Sequence, residues 1–247
     1  MSNQAPCVSI VIPARNEAAR LPASIREIRD AFPSESWEFV LVIEPGEDDT
    51  ESSARLAAKG DPRFVVVANP EARGKGFAVR TGMLRARGDW IFFMDADLSV
   101  PLRFVGNFLR ETGRADVLVG SRRHPESVIK IHQSWLRERA GRLFNIGLRL
   151  AGATRLRDTQ CGFKAFRREA ARAIFPLVEQ EGFGFDVEAL VLAEMLGCRI
   201  LELPVEWADA AGSKVRPLRD GIGSFAHAVL AARRIRHKYR NHADSRS

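Results

Sequence analysis

The chain has 247 residues, of which 45% are hydrophobic and 28% are charged, and these values fit a soluble globular protein with a sizeable core. No apolar stretch approaches the ~20 residues that a membrane-spanning helix needs, and residues 1–7 lack the basic and apolar regions of a signal peptide, so we expect neither. The three cysteines are widely spaced, which excludes a disulfide framework or a Cys-rich zinc site and indicates a cytoplasmic protein.

The net charge of +7 is distributed unevenly along the chain. Residues 122–172 carry 13 basic and 4 acidic side chains, and residues 214–247 carry 9 and 2, whereas the segment between them is acidic. Basic blocks permit an anionic partner such as nucleic acid, a phosphate or a membrane surface, although each block alone could equally be a solvated helix face. With one tyrosine and no basic-aromatic recognition motif, nucleic-acid binding is only a distant alternative, and we expect no such partner.

The first half of the chain alternates strands and helices. Apolar, β-branched runs predict strands at residues 8–12, 39–43, 64–67 and 90–94, and helical spacing predicts helices at 21–32, 49–58 and 76–87. Such alternation predicts an α/β fold with a Rossmann-like, mostly parallel sheet and helices on both faces. Ligands of these sheets bind beyond the carboxyl ends of the strands.

The second half has weaker signals. We predict a strand at residues 117–119, a basic helix at about 133–151 and a loop leading into a strand over 157–166. A helix at 186–196, a strand at 200–205 and a last helix at about 218–240 follow.

Two carboxylates, Asp95 and Asp97, follow the fourth predicted strand. In an extended chain such residues point the same way, so both could bind one Mg2+ or Mn2+ ion, cations that prefer oxygen ligands. An aspartate after a strand is also a common turn former or helix cap, and this alternative stays open.

A glycine-flanked lysine, Gly74-Lys75-Gly76, follows the third predicted strand. Glycines let the backbone approach a ligand closely, and Lys75 offers a point charge to a phosphate. The spacing is not that of a P-loop, and a simple Gly-rich turn is the alternative. Beside Asp95 and Asp97 at the same sheet edge, the motif predicts a diphosphate site.

Several longer segments carry a family resemblance. They are VSIVIPARNEAARL, RGKGFAVRTGM, DWIFFMDADLSVP, VGSRR, RDTQCGFKAFRREA, GFDVEAL and GSKVRP. Together they resemble family 2 glycosyltransferases with a GT-A fold, and within that family most closely the dolichyl-phosphate and polyprenyl-phosphate glucosyltransferases. The resemblance runs from about Val8 to Pro217 and implies a GT-A domain at residues 1–217. Residues 218–247 are predicted to form a C-terminal amphipathic and basic helix with a tail.

The resemblance also implies a site for a nucleotide sugar. The donor-binding positions of such enzymes correspond here to Pro13, Ala14, Arg15, Glu17, Glu44, Lys75, Asp95, Ala96 and Asp97. Asp95 and Asp97 would also hold the metal, Mg2+ or Mn2+. The usual Asp-Asp-Gly-Ser after the second strand is replaced here by Glu44-Pro45-Gly46-Glu47, so the choice between uridine and guanosine stays open.

The implied reaction transfers a hexose, glucose from UDP-glucose in the first place, to a polyprenyl phosphate with inversion. Transfer of mannose or another sugar, or transfer to a soluble acceptor, is the alternative. The implied ligands of the acceptor phosphate are Arg122, Arg139, Lys164 and Lys214. The implied catalytic residues are Asp97, Arg122 and Asp158, the last as a general base or sugar ligand, or else as a structural residue of its loop.

The C-terminal segment combines an apolar stripe with a basic end. Ile222, Phe225, Ala226, Val229 and Leu230 fall at helical spacing, and five basic residues follow within 233–240. Such a helix suits the interface of an anionic membrane, so we expect peripheral attachment at the cytoplasmic face. A helix that packs on the domain and ends in a frayed basic tail is the alternative.

Overall fold

The protein is described by a computed structural model over residues 7–131, 135–208, 229–230 and 234. The predicted ligand Lys214 and most of the predicted C-terminal helix lie outside these residues. Val229, Leu230 and Arg234 are helical, as predicted. Within the described part of the chain, no helix has the length and apolar character to cross a bilayer.

Nine strands form two sheets. They are β1 (Val8–Ala14), β2 (Trp37–Ile43), β3 (Phe64–Ala68), β4 (Trp90–Met94), β5 (Val117–Ser121), β6 (Val128–Ile131), β7 (Phe163–Arg167), β8 (Ile200–Pro204) and β9 (Glu206–Ala208). The large sheet has the order β3-β2-β1-β4-β7-β5-β8, and β6 pairs with β9 in the small one. All pairs are parallel except those of β7, which runs antiparallel between β4 and β5. The predicted mostly parallel sheet is confirmed.

Helices cover both faces of the large sheet. They are α1 (Leu21–Ala31), α2 (Thr50–Ala58), α3 (Lys75–Arg85), α4 (Arg103–Leu109), α5 (Trp135–Leu150), α6 (Arg168–Ile174) and α7 (Phe185–Met195), with a 3-10 turn at Phe175–Leu177. Neighbouring residues of β4 pack into the hydrophobic clusters on opposite faces of the sheet. Phe92 packs in the cluster that contains α1, and Phe93 packs in the cluster that contains α3 and α7. Burial on both faces explains why these strands are continuous apolar runs.

The predicted elements match the observed ones to within a few residues at their ends. On α1, Leu21, Ile25 and Ile28 fall at helical spacing and are fully buried. Sequence patterns did not predict α4, α6, β6 or β9, all of which are short, nor the reversed direction of β7.

Candidate active site

The candidate site lies at the edge of the large sheet where β1 to β4 end. Because β7 runs antiparallel to β4, Phe163 at the start of β7 pairs with Met94 at the end of β4. The loop before β7, residues 157–162, therefore reaches the same edge as the segment that follows β4. This one reversal brings the donor side of the predicted site, which includes Lys75 and Asp95, close to the acceptor side, which includes Arg122 and Asp158.

An ion pair joins two predicted donor-binding residues. The ammonium of Lys75, the first residue of α3, lies 2.6 Å from Oδ1 of Asp95. Burial alone would lower the pKa of Lys75, but the carboxylates of Asp95 and Asp186 outweigh it and raise this pKa. The two side chains remain 24% and 32% exposed, so a ligand can reach both charges.

Two glycines allow the approach of charged groups at this pair. Gly74 has φ +123°, and a Cβ there would lie 2.6 Å from the carbonyl oxygen of Glu181. A side chain at Gly162 would overlap the carboxylate of Asp95. The amide of Asp95 donates to the carbonyl of Gly162 at 3.2 Å, so the start of β7 fixes the position of Asp95.

Asp97 belongs to a turn. Its Oδ1 accepts hydrogen bonds from the amide of Ser99 at 3.0 Å and from the hydroxyl of Ser99 at 2.7 Å. Leu98 has φ +51°, and its amide donates to the carbonyl of Asp95. We expected Asp95 and Asp97 to point the same way because the chain between them would be extended. The chain turns here instead, so that premise is wrong.

The two carboxylates still fit a hard divalent cation. Each is half-buried, and each has one oxygen besides the Oδ1 atom used in the contacts above. Mg2+ is commonly held by one or two carboxylates together with phosphate oxygens and waters. The turn is tied to α1, because the hydroxyl of Ser24 donates to the carbonyl of Ala96 at 2.7 Å.

Glu44 holds the loop that carries Lys75. It is buried, and its carboxylate accepts hydrogen bonds from the amides of Arg73 at 3.1 Å and Gly74 at 2.9 Å. Its second oxygen also accepts from the amide of Gly74 at 3.1 Å. The carboxylate of this predicted donor-binding residue thus positions the turn before α3.

The loops after β1 and β2 are interlocked. Pro13 and Ala14 are the last residues of β1, and Arg15 donates to the carbonyl of Pro45 at 3.1 Å. The amide of Glu17 donates to the hydroxyl of Thr50 at 2.8 Å. Asn16, which sequence reasoning missed, has φ +56° and accepts from the amide of Glu47 at 2.7 Å. Asparagine's tolerance of positive φ is the sequence signal for such a position.

Arg122 and Asp158 form a bidentate ion pair. The guanidinium Nε and Nη2 donate to the two carboxylate oxygens at 2.7 and 2.9 Å, and the amide of Arg122 adds a third bond at 3.1 Å. Asp158 is completely buried. Burial alone would raise its pKa, but the attraction and hydrogen bonds of Arg122 outweigh it and lower the pKa to about 2.

Lys164 and Asp186 form a second buried pair, with Nζ and Oδ1 2.6 Å apart. The same ammonium donates to the carbonyl of Cys161 at 2.6 Å, and Lys164 is only 1% exposed. Burial raises the pKa of Asp186. Cys161 is also fully buried.

A small pocket lies beside the turn at Asp95–Asp97. Its lining includes Asp95, Ser99, Gly162 and Trp207. The guanidinium carbon of Arg122 lies 5.6 Å from the ring centroid of Trp207, a cation–π contact that places the Arg122–Asp158 pair next to this pocket. The pocket is therefore lined by one predicted metal ligand, Asp95, and by Trp207, the ring that Arg122 contacts.

A comparison with known families matches residues 9–175 to the family described as Glycosyl transferase family 2. The chain belongs to that family. The predicted fold class and glycosyltransferase assignment are confirmed.

Proteins that are similar in sequence to this glycosyltransferase include dolichyl-phosphate beta-glucosyltransferases. The one from Drosophila melanogaster is 36% identical over 230 residues, covering 85% of this chain and 69% of the relative. The one from Saccharomyces cerevisiae is 34% identical over 239 residues, covering 87% and 71%. One from Trichomonas vaginalis is 32% identical over 221 residues, covering 84% of this chain and 66% of the relative. The chain thus spans about two thirds of the length of these relatives.

Solved structures support the fold of the glycosyltransferase. A glucosyl-3-phosphoglycerate synthase from Mycobacterium tuberculosis, in complex with Mn2+, UDP and phosphoglyceric acid, superposes with a TM-score of 0.66 at 24% identity. The match covers 92% of this chain and 77% of the synthase. At this identity the likeness shows the fold.

Two predicted site residues of the glycosyltransferase lie in buried ion pairs. Asp158 is fully buried, paired twice to Arg122 and a weak proton acceptor, so it is not placed to act as a general base. Lys164 is enclosed with Asp186, so a phosphate could not reach it without breaking that pair. Arg139 lies exposed on α5, and Lys214 lies outside the described residues.

Proposed function

We propose that this glycosyltransferase moves a glucosyl group from UDP-glucose to a polyprenyl phosphate with inversion at the anomeric carbon. One observation carries the donor half of the proposal: the accessible Lys75–Asp95 pair stands beside Asp97 at the carboxyl edge of the sheet. It offers opposite charges, a cation for a diphosphate and a carboxylate for a metal ion. The names of the dolichyl-phosphate beta-glucosyltransferases support the sugar and the acceptor.

The donor would lie against the interlocked loops after β1 and β2. The segment from Pro13 to Glu17 would contact the nucleoside, and Lys75 would pair with the diphosphate. Asp95 and Asp97 would hold Mg2+ or Mn2+, which supplies Lewis-acid stabilisation of the departing diphosphate when it is bound. Mn2+ and UDP in the structurally similar synthase support this choice of ligands.

The acceptor needs orientation more than deprotonation. A phosphate monoester has a second pKa of about 6 and is largely a dianion at neutral pH, so no strong base is required. This agrees with a buried Asp158 whose pKa is about 2. Arg122 uses Nε and Nη2 on Asp158, and a guanidinium has five N–H donors, so Arg122 retains donors for the acceptor phosphate. Arg139 and Lys214 remain proposed contributors.

A polyprenyl acceptor places the reaction at a membrane surface. We propose that the protein attaches peripherally to the cytoplasmic face, where a water-soluble nucleotide sugar meets the lipid phosphate. The positive charge of residues 122–172 and 214–247 supports attraction to anionic lipids.

The test is a product assay with a panel of UDP- and GDP-sugars and a short-chain polyprenyl phosphate. We expect UDP-glucose and Mg2+ or Mn2+ to yield a negatively charged glycolipid, and a chelator to abolish its formation. Asp97→Asn should lose metal-dependent nucleotide binding while its far-UV spectrum stays unchanged. Asp30→Asn, an exposed acid on α1, is the matched control. Transfer only to a soluble phosphorylated acceptor, or only from a GDP-sugar, would overturn the corresponding half of the proposal.

A further inference from the structure

Helix α5 exposes an apolar stripe. Leu143 is 69% exposed, Ile146 is 40% exposed and Leu150 is 84% exposed. At 3.6 residues per turn, these three side chains lie within about 60° of one another around the helix axis. Leu148 and Asn145, by contrast, are buried on the side that faces the domain. The helix is therefore apolar on its outer face as well as its inner one, and packing within the domain explains only the inner face.

Basic side chains flank this stripe. Arg139, Arg142 and Arg149 are exposed on the same helix. They belong to the segment 122–172, which has 13 basic and 4 acidic residues. An exposed apolar stripe beside a row of arginines has the composition of an interfacial helix: the aliphatic groups enter the acyl boundary and the guanidinium groups contact anionic headgroups.

The stripe is coupled to the acceptor side of the site. Asn145 accepts hydrogen bonds from the amide and hydroxyl of Thr159 at 3.1 and 3.0 Å. Thr159 follows Asp158, which holds Arg122. A surface that rests on the outer face of α5 would therefore lie about one helix diameter, ~10 Å, from the loop that holds Arg122.

The described part of the C-terminal segment contacts the domain. Val229 packs against the core cluster that contains α3 and α7. Arg234 pairs with Glu179 at 2.6 Å and with Glu188 at 3.3 Å. These contacts favour the alternative of a domain-packing helix, and they leave α5 as the better-supported membrane contact.

We propose that the outer face of α5, formed by Leu143, Ile146 and Leu150 with the flanking arginines, docks on an anionic lipid bilayer. The inference builds on the proposed function by assigning the surface that brings the site to its lipid acceptor. It commits to a bilayer because the arginines complement anionic headgroups.

The test is flotation of the full chain with phosphatidylcholine vesicles that contain or lack about 30 mol% phosphatidylglycerol. The anionic lipid gives the vesicles a negative surface. We expect binding only to the anionic vesicles, with a loss at high salt. Leu143→Ser/Leu150→Ser should weaken partitioning about tenfold, since two aliphatic groups no longer enter the bilayer. Arg142→Gln/Arg149→Gln should reduce binding at low salt and have less effect at high salt.

A matched control is Leu56→Ser on α2, because Leu56 is 74% exposed but the one arginine of its helix, Arg55, is paired with Glu51. An equal loss in this control would overturn the inference, as would unchanged binding by the α5 variants. Binding abolished only by removing residues 222–247 would assign the contact to the C-terminal segment instead. A dimer of the wild type that the α5 substitutions dissociate, without vesicles present, would make this face a self-association surface.

Activity on a short, water-soluble polyprenyl phosphate separates this inference from the proposed function. The α5 variants should retain that activity, because none of the changed side chains belongs to the proposed site. Loss of vesicle binding with retained transfer supports both conclusions. Vesicle binding by a protein that transfers no sugar in any assay would leave the docking surface standing and the proposed function refuted.

Discussion

The donor side and the acceptor side of the site both depend on short ion pairs, but the pairs differ in exposure. On the donor side, Lys75 and Asp95 are 2.6 Å apart and remain open to solvent. On the acceptor side, the Arg122–Asp158 and Lys164–Asp186 pairs are equally short, yet Asp158 and Lys164 are almost fully enclosed. Similar distances therefore do not imply similar roles.

The difference indicates which charges can change partners. A half-exposed pair can exchange one partner for a ligand at modest cost, because water and the ligand can replace the lost contact. An enclosed charge such as Asp158 or Lys164 cannot, because without its partner it would be left unpaired in a low-dielectric interior. We infer that the donor side binds ligands by exchanging ion pairs, whereas the buried acceptor pairs hold fixed the groups that contact the ligand.

The largest expected effect comes from breaking the buried pair at Asp158. Asp158→Ala should lower the free energy of unfolding by about 3–5 kcal/mol, because Arg122 loses its buried counter-charge. Urea denaturation measures this change. Arg122→Met in the same chain should recover part of the loss. If Asp158→Ala remains fully stable but loses activity, Asp158 has a catalytic role and the distinction between the two sides fails.

Acid should reveal the same pair. The pKa of Asp158 is about 2 in the folded protein against 3.8 for the ordinary side chain. Because the unfolded chain binds this proton more readily, the pair stabilises the fold above about pH 4, and this contribution of about 2 kcal/mol is lost as the pH falls to about 2. The pKa of Asp61 is also lowered to about 2, chiefly by its hydrogen bond with Arg63. The difference between the unfolding curves of wild type and Asp158→Asn therefore isolates Asp158, and identical pH slopes would contradict the assignment.

Glu44→Gln tests the loop support on the donor side. The variant replaces one of the two oxygens that accept from the amides of Arg73 and Gly74 with an NH2 group. We expect unfolding free energy to fall by about 1–2 kcal/mol and the KM for UDP-glucose to rise about tenfold, with a smaller change in kcat. If the KM for UDP-glucose rises and GDP-glucose becomes the better donor, Glu44 instead contacts the nucleoside base and selects it.

The smallest expected effect concerns the open pair. Lys75→Met removes the ammonium group and should make Mn2+ alone bind a few-fold more tightly, because Mn2+ no longer competes with Lys75 for Asp95. The same substitution should weaken UDP binding in the presence of Mn2+. Electron paramagnetic resonance of free Mn2+ measures the first effect and calorimetry the second. Arg73→Met removes a charge from the same loop but pairs with Glu181, so an equal gain in Mn2+ affinity there would refute competition at Asp95.

Sequence reasoning located the donor side better than the acceptor side. The four parallel strands are long apolar runs, and the motifs follow them directly, so the meeting of Lys75 with Asp95 could be predicted from topology alone. The turn at Asp97 could not, because it depends on a positive φ at Leu98, a residue with no preference for that conformation.

The acceptor side was harder because its contacts are distant in sequence and its strand direction is not encoded locally. Nothing in the residues of β7 distinguishes an antiparallel from a parallel neighbour of β4. Arg122 and Asp158 are separated by an entire helix, so their pairing, and hence the burial of Asp158, was not visible from either motif. A lysine within an apolar strand, such as Lys164, could have indicated a buried ion pair.

The reversal of β7 has a consequence for how such enzymes can diversify. The chain leaves the large sheet at Ser121 and re-enters it at Phe163, on strands that are hydrogen-bonded neighbours with Val119 opposite Lys164. Everything between these points is an excursion whose two ends are adjacent. Recombination could therefore lengthen or replace that excursion as one unit, altering the proposed acceptor side while the strand order and the sheet edge that carries Lys75 and Asp95 are inherited intact.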